Sequence, residues 1–190
     1  MHLMRIICSA AFLAAAALPA FAADEILDAI DGARKAYQSG DVAGAKQSLD
    51  LASQLIAQKN AEAFSALLPA ALPGWKAEKV QSTAVGASMF GGASAASRSY
   101  SNAKGDTVEV SITGDSAMIM QFGPMLNNPA LAGAMGKLVR IGNQRAIQTN
   151  EGDIMMLVAN KILVHVQGSA DAASKLAYAQ AVDVDKLSKM

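Results

Sequence analysis

The sequence predicts an α+β protein, with a largely antiparallel sheet, helices on one face of it, and an N-terminal helical hairpin before it. Between about residues 76 and 167, short apolar segments alternate with turn signals such as Gly142-Asn143. This pattern is typical of strands joined by tight hairpins. Segments with helical apolar spacing precede that region, interrupt it once and follow it. Helices grouped outside an antiparallel sheet define the α+β class.

Residues 1–22 have the pattern of a secretory signal peptide. Arg5 gives a positive start, an apolar segment runs to Leu18, and Ala20-Phe21-Ala22 supplies small residues for a signal peptidase. The alternative is a membrane anchor, but the apolar run is shorter than the roughly 20 residues that a span needs. We therefore expect cleavage after Ala22 and, in a Gram-negative cell, a periplasmic product.

Composition excludes several functional classes. Cys8 is the only cysteine and lies inside the predicted signal peptide, so the remaining chain offers no thiol nucleophile, disulfide or thiolate ligand. Loss of Arg5 leaves 15 basic against 16 acidic residues. With no basic stripe, the sequence argues against a nucleic-acid partner. No later apolar run is long enough to span a bilayer.

Residues 23–59 are predicted to form the helical hairpin. Gly40 suits a left-handed C-terminal cap, and Asp41 can cap the second helix. The apolar positions recur at helical spacing, with Ile26, Leu27, Ile30, Ala33 and Tyr37 on the first helix and Val42, Ala45, Leu49, Ala52 and Ile56 on the second. The pair resembles one tetratricopeptide-type unit. Since a solenoid needs about three units and no second copy appears, a single hairpin that packs on the domain or on a partner is expected.

Residues 60–190 are predicted to form the α+β domain. Asn60 is expected to cap a short third helix that ends at Leu68. Trp75 is expected to pack into the core where the chain enters the sheet. The predicted strands are 76–84, 97–101, 107–112, 138–141 and 145–149, followed by a central hairpin. Helices are expected from Asp115 or Ser116 with a kink at Gly123-Pro124, from Asn128 to Gly136, and after Ser169, the last with Ala173, Leu176 and Ala177 inward.

The most apolar run, residues 153–167, predicts the central hairpin around Asn160-Lys161. A two-residue turn there places Ala159 opposite Ile162, Leu157 opposite Val164 and Met155 opposite Val166. Met156 then faces His165 on the other side of the sheet.

Residues 85–96 are predicted to be a loop with an apolar tip. The segment is rich in glycine and serine and carries Met89 and Phe90 at its centre. Exposed apolar side chains favour partner contacts. We therefore predict that Met89 and Phe90, with Tyr37 of the helical hairpin, bind a partner.

Catalytic and cofactor motifs are missing from the sequence. His165 is the only histidine after residue 22, and the sequence has no nucleophile elbow, Walker motif or dinucleotide fingerprint. Seven of the ten methionines lie between Met89 and Met156. Thioethers with one imidazole are Cu(I) ligands, so Met156 and His165 with Met118, Met120 or Met125 form an alternative metal site. Core packing is the commoner use of methionine.

Four motifs resemble a family of uncharacterised exported bacterial proteins. They are Leu72-Pro73-Gly74-Trp75, Ser97-Arg98-Ser99-Tyr100, the pair Gly142 and Arg145, and residues 158–164, within a similarity that covers roughly Phe64 to Leu187. The resemblance implies export and structural roles for these motifs, and no activity.

The sequence therefore predicts an exported, non-enzymatic binding or accessory module without a cofactor, which contacts an unknown protein or small ligand. A periplasmic Met/His Cu(I)-binding protein is the alternative, and an enzyme of unknown class is the third.

Overall fold

The computed structural model describes residues 24–85, 93–114, 119, 123–124 and 128–190. The helices are α1 (Glu25–Gln38), α2 (Val42–Leu67), α3 (Pro129–Met135), α4 (Ala172–Gln180) and α5 (Val184–Ser188). The strands are β1 (Trp75–Ala77), β2 (Gln81–Val85), β3 (Ala93–Asn102), β4 (Thr107–Gly114), β5 (Gly136–Ile141), β6 (Gln144–Thr149), β7 (Ile154–Val158) and β8 (Ile162–Gln167). The α+β class is confirmed. The predicted signal peptide, Met89, Phe90 and the start of the helix expected at Asp115 or Ser116 lie outside the described residues.

Helices α1 and α2 form the predicted hairpin. The side chains of Asp24 and Asp41 accept hydrogen bonds from backbone amides at the N-termini of α1 and α2. Gly40 adopts φ +84° in the turn between the helices. The predicted third helix at Asn60 is wrong, because α2 continues through Asn60 to Leu67. Asparagine inside a helix lowers stability only slightly, and no glycine or proline stands between Asn60 and Pro69 to end α2.

All strands pair antiparallel in one sheet of order β1-β3-β4-β8-β7-β6-β5. Strands β1 and β2 pair with successive parts of β3, so the predicted strand 76–84 is one edge interrupted at residues 78–80. Strand β3 begins at Ala93, four residues before the predicted start, so residues 93–96 of the predicted loop belong to a strand. The predicted strand 107–112 is confirmed, with Val108, Val110 and Ile112 buried.

The central hairpin has a register that differs by one residue from the prediction. Val158 pairs with Ile162, Met156 with Val164 and Met155 with His165. Three residues, 159–161, therefore form the connection, and Ala159 and Asn160 both have left-handed backbones, at φ 50° and 58°. The predicted two-residue turn is wrong because alanine, which rarely adopts this conformation, takes part in the turn.

One face of the sheet carries the core. Alternate residues of the central strands point toward α2, α4 and α5, and the buried set includes Val110, Ile112, Ile154, Met156, Val158, Val164 and Val166. Phe64 of α2 packs directly on Gly114, where an added Cβ would lie 2.7 Å from the ring. Glycine at this position therefore allows the helix to approach the sheet.

The C-terminal helices differ from the prediction in their buried side. Asp171 caps α4, whereas Ser169 accepts a hydrogen bond from the Thr107 amide at 2.9 Å. Lys175, Tyr178 and Ala179 are the buried residues of α4. Of the three residues predicted to face inward, Leu176 packs against the core, whereas Ala173 is exposed. Val184 and Leu187 of α5 are buried as predicted, and Trp75 packs against the core with its ring edge-on to Tyr178.

Candidate functional site

Small side chains form the interface between α1 and α2. Ala29 and Ala33 of α1 and Ala45 and Ala52 of α2 are each at most 8% exposed. Alanine at a helix contact lets two helices pack closely, but it buries little apolar surface. Most of the larger apolar side chains of the two helices are exposed.

Five of these larger side chains form a surface that we name the hairpin stripe. Ile30 and Tyr37 of α1 are 41% and 70% exposed, and Val42, Leu49 and Ile56 of α2 are 65%, 55% and 43% exposed. Members of each helix are seven residues apart. Two helical turns bring residues at that spacing back to nearly the same face.

The two rows lie on the same side of the helix pair. Each stripe residue comes three positions before or four positions after an interface alanine, as Ile30 and Tyr37 do with Ala33, and Leu49 does with Ala45. Both steps correspond to a rotation of about 50° around the helix axis, in the same direction, from the alanine to the stripe residue. Because the helices face each other and run in opposite directions, the same rotation leads to the same side. The hairpin stripe is therefore one continuous apolar surface.

Charges beside the hairpin stripe are paired locally. Arg34 binds Asp31 at 3.1 Å, and Lys46 binds Asp50 at 2.7 Å, both on exposed helix surface. Arg34 follows Ile30 by four residues, and Lys46 follows Val42 by four. Each cation already has an anion of its own, so apolar contact is the chemistry that this surface offers.

The predicted partner-binding residues are only partly described. Tyr37 lies on the hairpin stripe, whereas Met89 and Phe90 lie outside the described residues. The prediction did not include Ile30, Val42, Leu49 or Ile56 as binding residues. Their seven-residue spacing beside a row of alanines is the signal that could have identified them.

The predicted Met156–His165 pair is wrong. Met155 is the residue opposite His165, and Met156 is 1% exposed on the helix-covered face. Across the part of the chain that the structure describes, no group of three or more His, Cys, Asp or Glu side chains could hold a metal. Burial lowers the pKa of His165, with smaller opposing effects from Asp153 and Glu109.

Lys175 is a buried cation that the sequence did not indicate as such. Its Nζ donates to Asp153 Oδ1 at 2.7 Å, to the Glu151 carbonyl at 2.8 Å and to the Gly168 carbonyl at 3.0 Å. Three acceptors match the three hydrogens of an ammonium group. These hydrogen bonds connect α4 to the residues that precede β7 and to the residue that follows β8, so Lys175 has a structural role.

No family model, curated protein or solved structure matches this chain. Within the described residues, none of the helices combines the length and the hydropathy of a bilayer-crossing segment.

Proposed function

We propose that this protein is an exported, non-enzymatic binding module whose hairpin stripe receives an amphipathic helix of a partner protein. The hairpin stripe is the observation that carries the proposal. It consists of five large apolar side chains, each 41–70% exposed, on a helix pair whose buried residues include small ones such as Ala33 and Ala45. Monomeric proteins rarely expose continuous apolar surface unless it contacts something else.

The spacing of the hairpin stripe favours a helix as the occupant. In arrays of helical pairs, each pair covers the apolar side of the next pair. A single helical pair leaves that side exposed. An incoming helix with apolar residues at positions i, i+3 or i+4, and i+7 would match the seven-residue rows. The locally paired charges of Arg34 and Lys46 leave apolar burial as the main source of affinity.

Export and the absence of catalysis rest on the sequence. The pattern of residues 1–22 supports export, and the lack of a catalytic motif supports a binding role.

Site-specific photocrosslinking tests the proposal. A photoreactive phenylalanine analogue at position 49, in the chain expressed with its leader in its own cells, is expected to capture a helical segment of another protein. Peptide mapping by mass spectrometry identifies that segment, and its synthetic peptide is then titrated against the purified chain. Leu49→Ser and Tyr37→Ser are each expected to weaken binding of the peptide at least tenfold.

The matched control is Leu131 of α3, which is 46% exposed and distant in the sequence from the hairpin stripe. The crosslinker at position 131 is expected not to capture the same segment, and Leu131→Ser to leave peptide affinity unchanged. Capture of lipid, of a second copy of this chain, or of an extended peptide at position 49 would contradict the proposal.

A further inference from the structure

A concave site lies at the end of the sheet away from the helical hairpin. Its volume is about 280 Å³, near the lower end for small-molecule pockets. It opens between the β5–β6 turn and the β7–β8 turn. Leu138, Ile147, Met155 and Leu157 supply its apolar lining. Strand pairing places Leu138 opposite Ile147 and Ile147 opposite Met155, so these residues lie side by side on one face.

Polar groups surround that lining at the turn end. Arg145, Gln144 and Asn143 line the cavity where the chain enters β6. A guanidinium group and two amide side chains present several N–H donors in a small space. The exposed lining of the cavity is therefore mainly polar, with the four apolar side chains beneath it.

Arg145 also faces a second arginine. The β5–β6 register places Arg140 directly opposite Arg145, so their side chains lie on the same face with Cβ atoms about 5 Å apart. Like charges in this position destabilise a strand pair. Among the residues that the structure describes, neither guanidinium makes an ion pair.

The surrounding sequence does not neutralise these charges. No aspartate or glutamate occurs from residue 116 to residue 150, while Lys137, Arg140 and Arg145 all lie in the β5–β6 hairpin. The hairpin therefore carries three cations and no anion. A bound anion would remove the repulsion between the arginines, and a carboxylate can accept two parallel hydrogen bonds from one guanidinium.

We propose that this cavity binds a small organic carboxylate, with the carboxylate at Arg145 and the apolar body on the floor formed by Leu138, Ile147, Met155 and Leu157. Contact with these four apolar side chains is what would distinguish an organic anion from inorganic phosphate at this site. This site is separate from the hairpin stripe and does not depend on the function proposed for it.

Titration with matched ligands tests the inference in the wild-type chain from Ala23 onward. Hexanoate carries the charge and the apolar body, hexanamide carries the body alone, and phosphate carries the charge alone. Methyl NMR signals of Leu138, Ile147, Met155 and Leu157 report on the floor. Hexanoate is expected to shift them saturably, with a Kd on the order of 1 mM or lower. Hexanamide is expected to bind at least tenfold more weakly, and phosphate to leave these methyl signals unshifted.

Two arginine variants separate the site from general charge effects. Arg145→Gln is expected to weaken hexanoate binding at least tenfold, and Arg34→Gln, which removes an exposed arginine of α1, to leave it unchanged. Arg145→Gln is also expected to keep or raise the melting temperature of the free chain, because it removes the repulsion with Arg140. The comparison of hexanoate with hexanamide needs no variant and stands if Arg145→Gln does not fold.

Four results would overturn the inference. Equal binding of hexanamide and hexanoate would show an apolar cavity without a carboxylate site. Equal methyl shifts with phosphate would show a charge effect that does not use the floor. No saturable shift with hexanoate, or an unchanged Kd in Arg145→Gln, would show that Arg145 does not form a binding site.

Discussion

The rings of Tyr100 and Tyr178 lie with their centroids 4.4 Å apart and their planes inclined by 34°. The Tyr100 hydroxyl donates to the Pro69 carbonyl at 2.6 Å, and the Tyr178 hydroxyl accepts from the Leu72 amide at 3.2 Å. The two tyrosines come from β3 and α4, whereas Pro69 and Leu72 belong to the segment between α2 and β1. This pair of rings therefore fixes the connection between the helical hairpin and the sheet.

Tyr100→Phe is expected to destabilise the chain by about 1–3 kcal/mol, because the Pro69 carbonyl loses its donor while the ring packing remains. Urea unfolding followed by tryptophan fluorescence measures the change, since Trp75 packs edge-on against Tyr178 at 5.4 Å. Tyr37→Phe is the control, because Tyr37 is 70% exposed. It is expected to change the free energy of unfolding by less than about 0.5 kcal/mol. Equal effects of the two substitutions would show that the buried hydroxyl contributes no net stability.

Asp153→Ala is expected to destabilise the chain by about 3–5 kcal/mol, because it leaves the buried ammonium of Lys175 without its counter-ion. The Lys175 side chain is 3% exposed, and its Nζ lies 2.7 Å from Asp153 Oδ1. Adding Lys175→Met to Asp153→Ala is expected to restore part of the loss, since the uncompensated charge is then gone. Urea unfolding of the single and double variants measures both effects.

The exposed pair Lys46–Asp50 is the control for that experiment. Its N–O distance is also 2.7 Å, but its side chains are 73% and 40% exposed. Solvent screens such pairs, so Asp50→Ala is expected to cost about 1 kcal/mol or less. A double variant no more stable than Asp153→Ala alone would contradict the explanation by buried charge.

Stability is expected to fall as the pH drops below about 6.5, the ordinary pKa of histidine. Burial lowers the pKa of His165 in the folded state. Between the folded and unfolded pKa values the unfolded chain binds more protons, so the free energy of unfolding decreases as protons are added. The decrease ends once the pH is below the folded pKa.

Unfolding of the wild-type chain and of His165→Gln, compared at pH 7.5 and pH 5, isolates this contribution. Carboxylates titrate in both proteins, so only the difference between them reports on His165. The wild type is expected to lose more stability than the variant. The chain from Ala23 onward has no other histidine, so one imidazole NMR signal gives the folded pKa directly. A folded pKa at or above 6.5 would contradict the prediction.

The sequence correctly predicted the elements whose residue pattern fits only one kind of secondary structure. In residues 107–112 apolar and polar residues alternate strictly, and the predicted strand and its inward side are confirmed. Helix caps at Asp41 and Asn128 were also predicted, because short polar side chains precede the helical spacing there.

Other features depend on contacts that are distant in the sequence. Residues 154–158 are apolar at every position, so alternation could not decide whether Met155 or Met156 faces His165. Lys175 reaches its inner position only because Asp153 and two carbonyl groups meet it there. The hairpin stripe was recognised only at Tyr37, because the sequence shows helical spacing but not which apolar residues a neighbour covers. The cavity at Arg145 arises from the register of β5, β6 and β7, which a single sequence does not specify.

The strand order also determines how the chain folds. Strands β1 to β4 form one meander and β5 to β8 form another, and the two meet only where β4 pairs with β8. Pairings inside each meander join strands close in sequence, so their contact order is low and they can form early. The β4–β8 pairing closes a long loop, so more chain entropy is lost before its contacts can stabilise the chain. We therefore expect the two meanders to fold as separate units, and their joining along Val110, Ile112, Val164 and Val166 to limit the rate at which the native core forms.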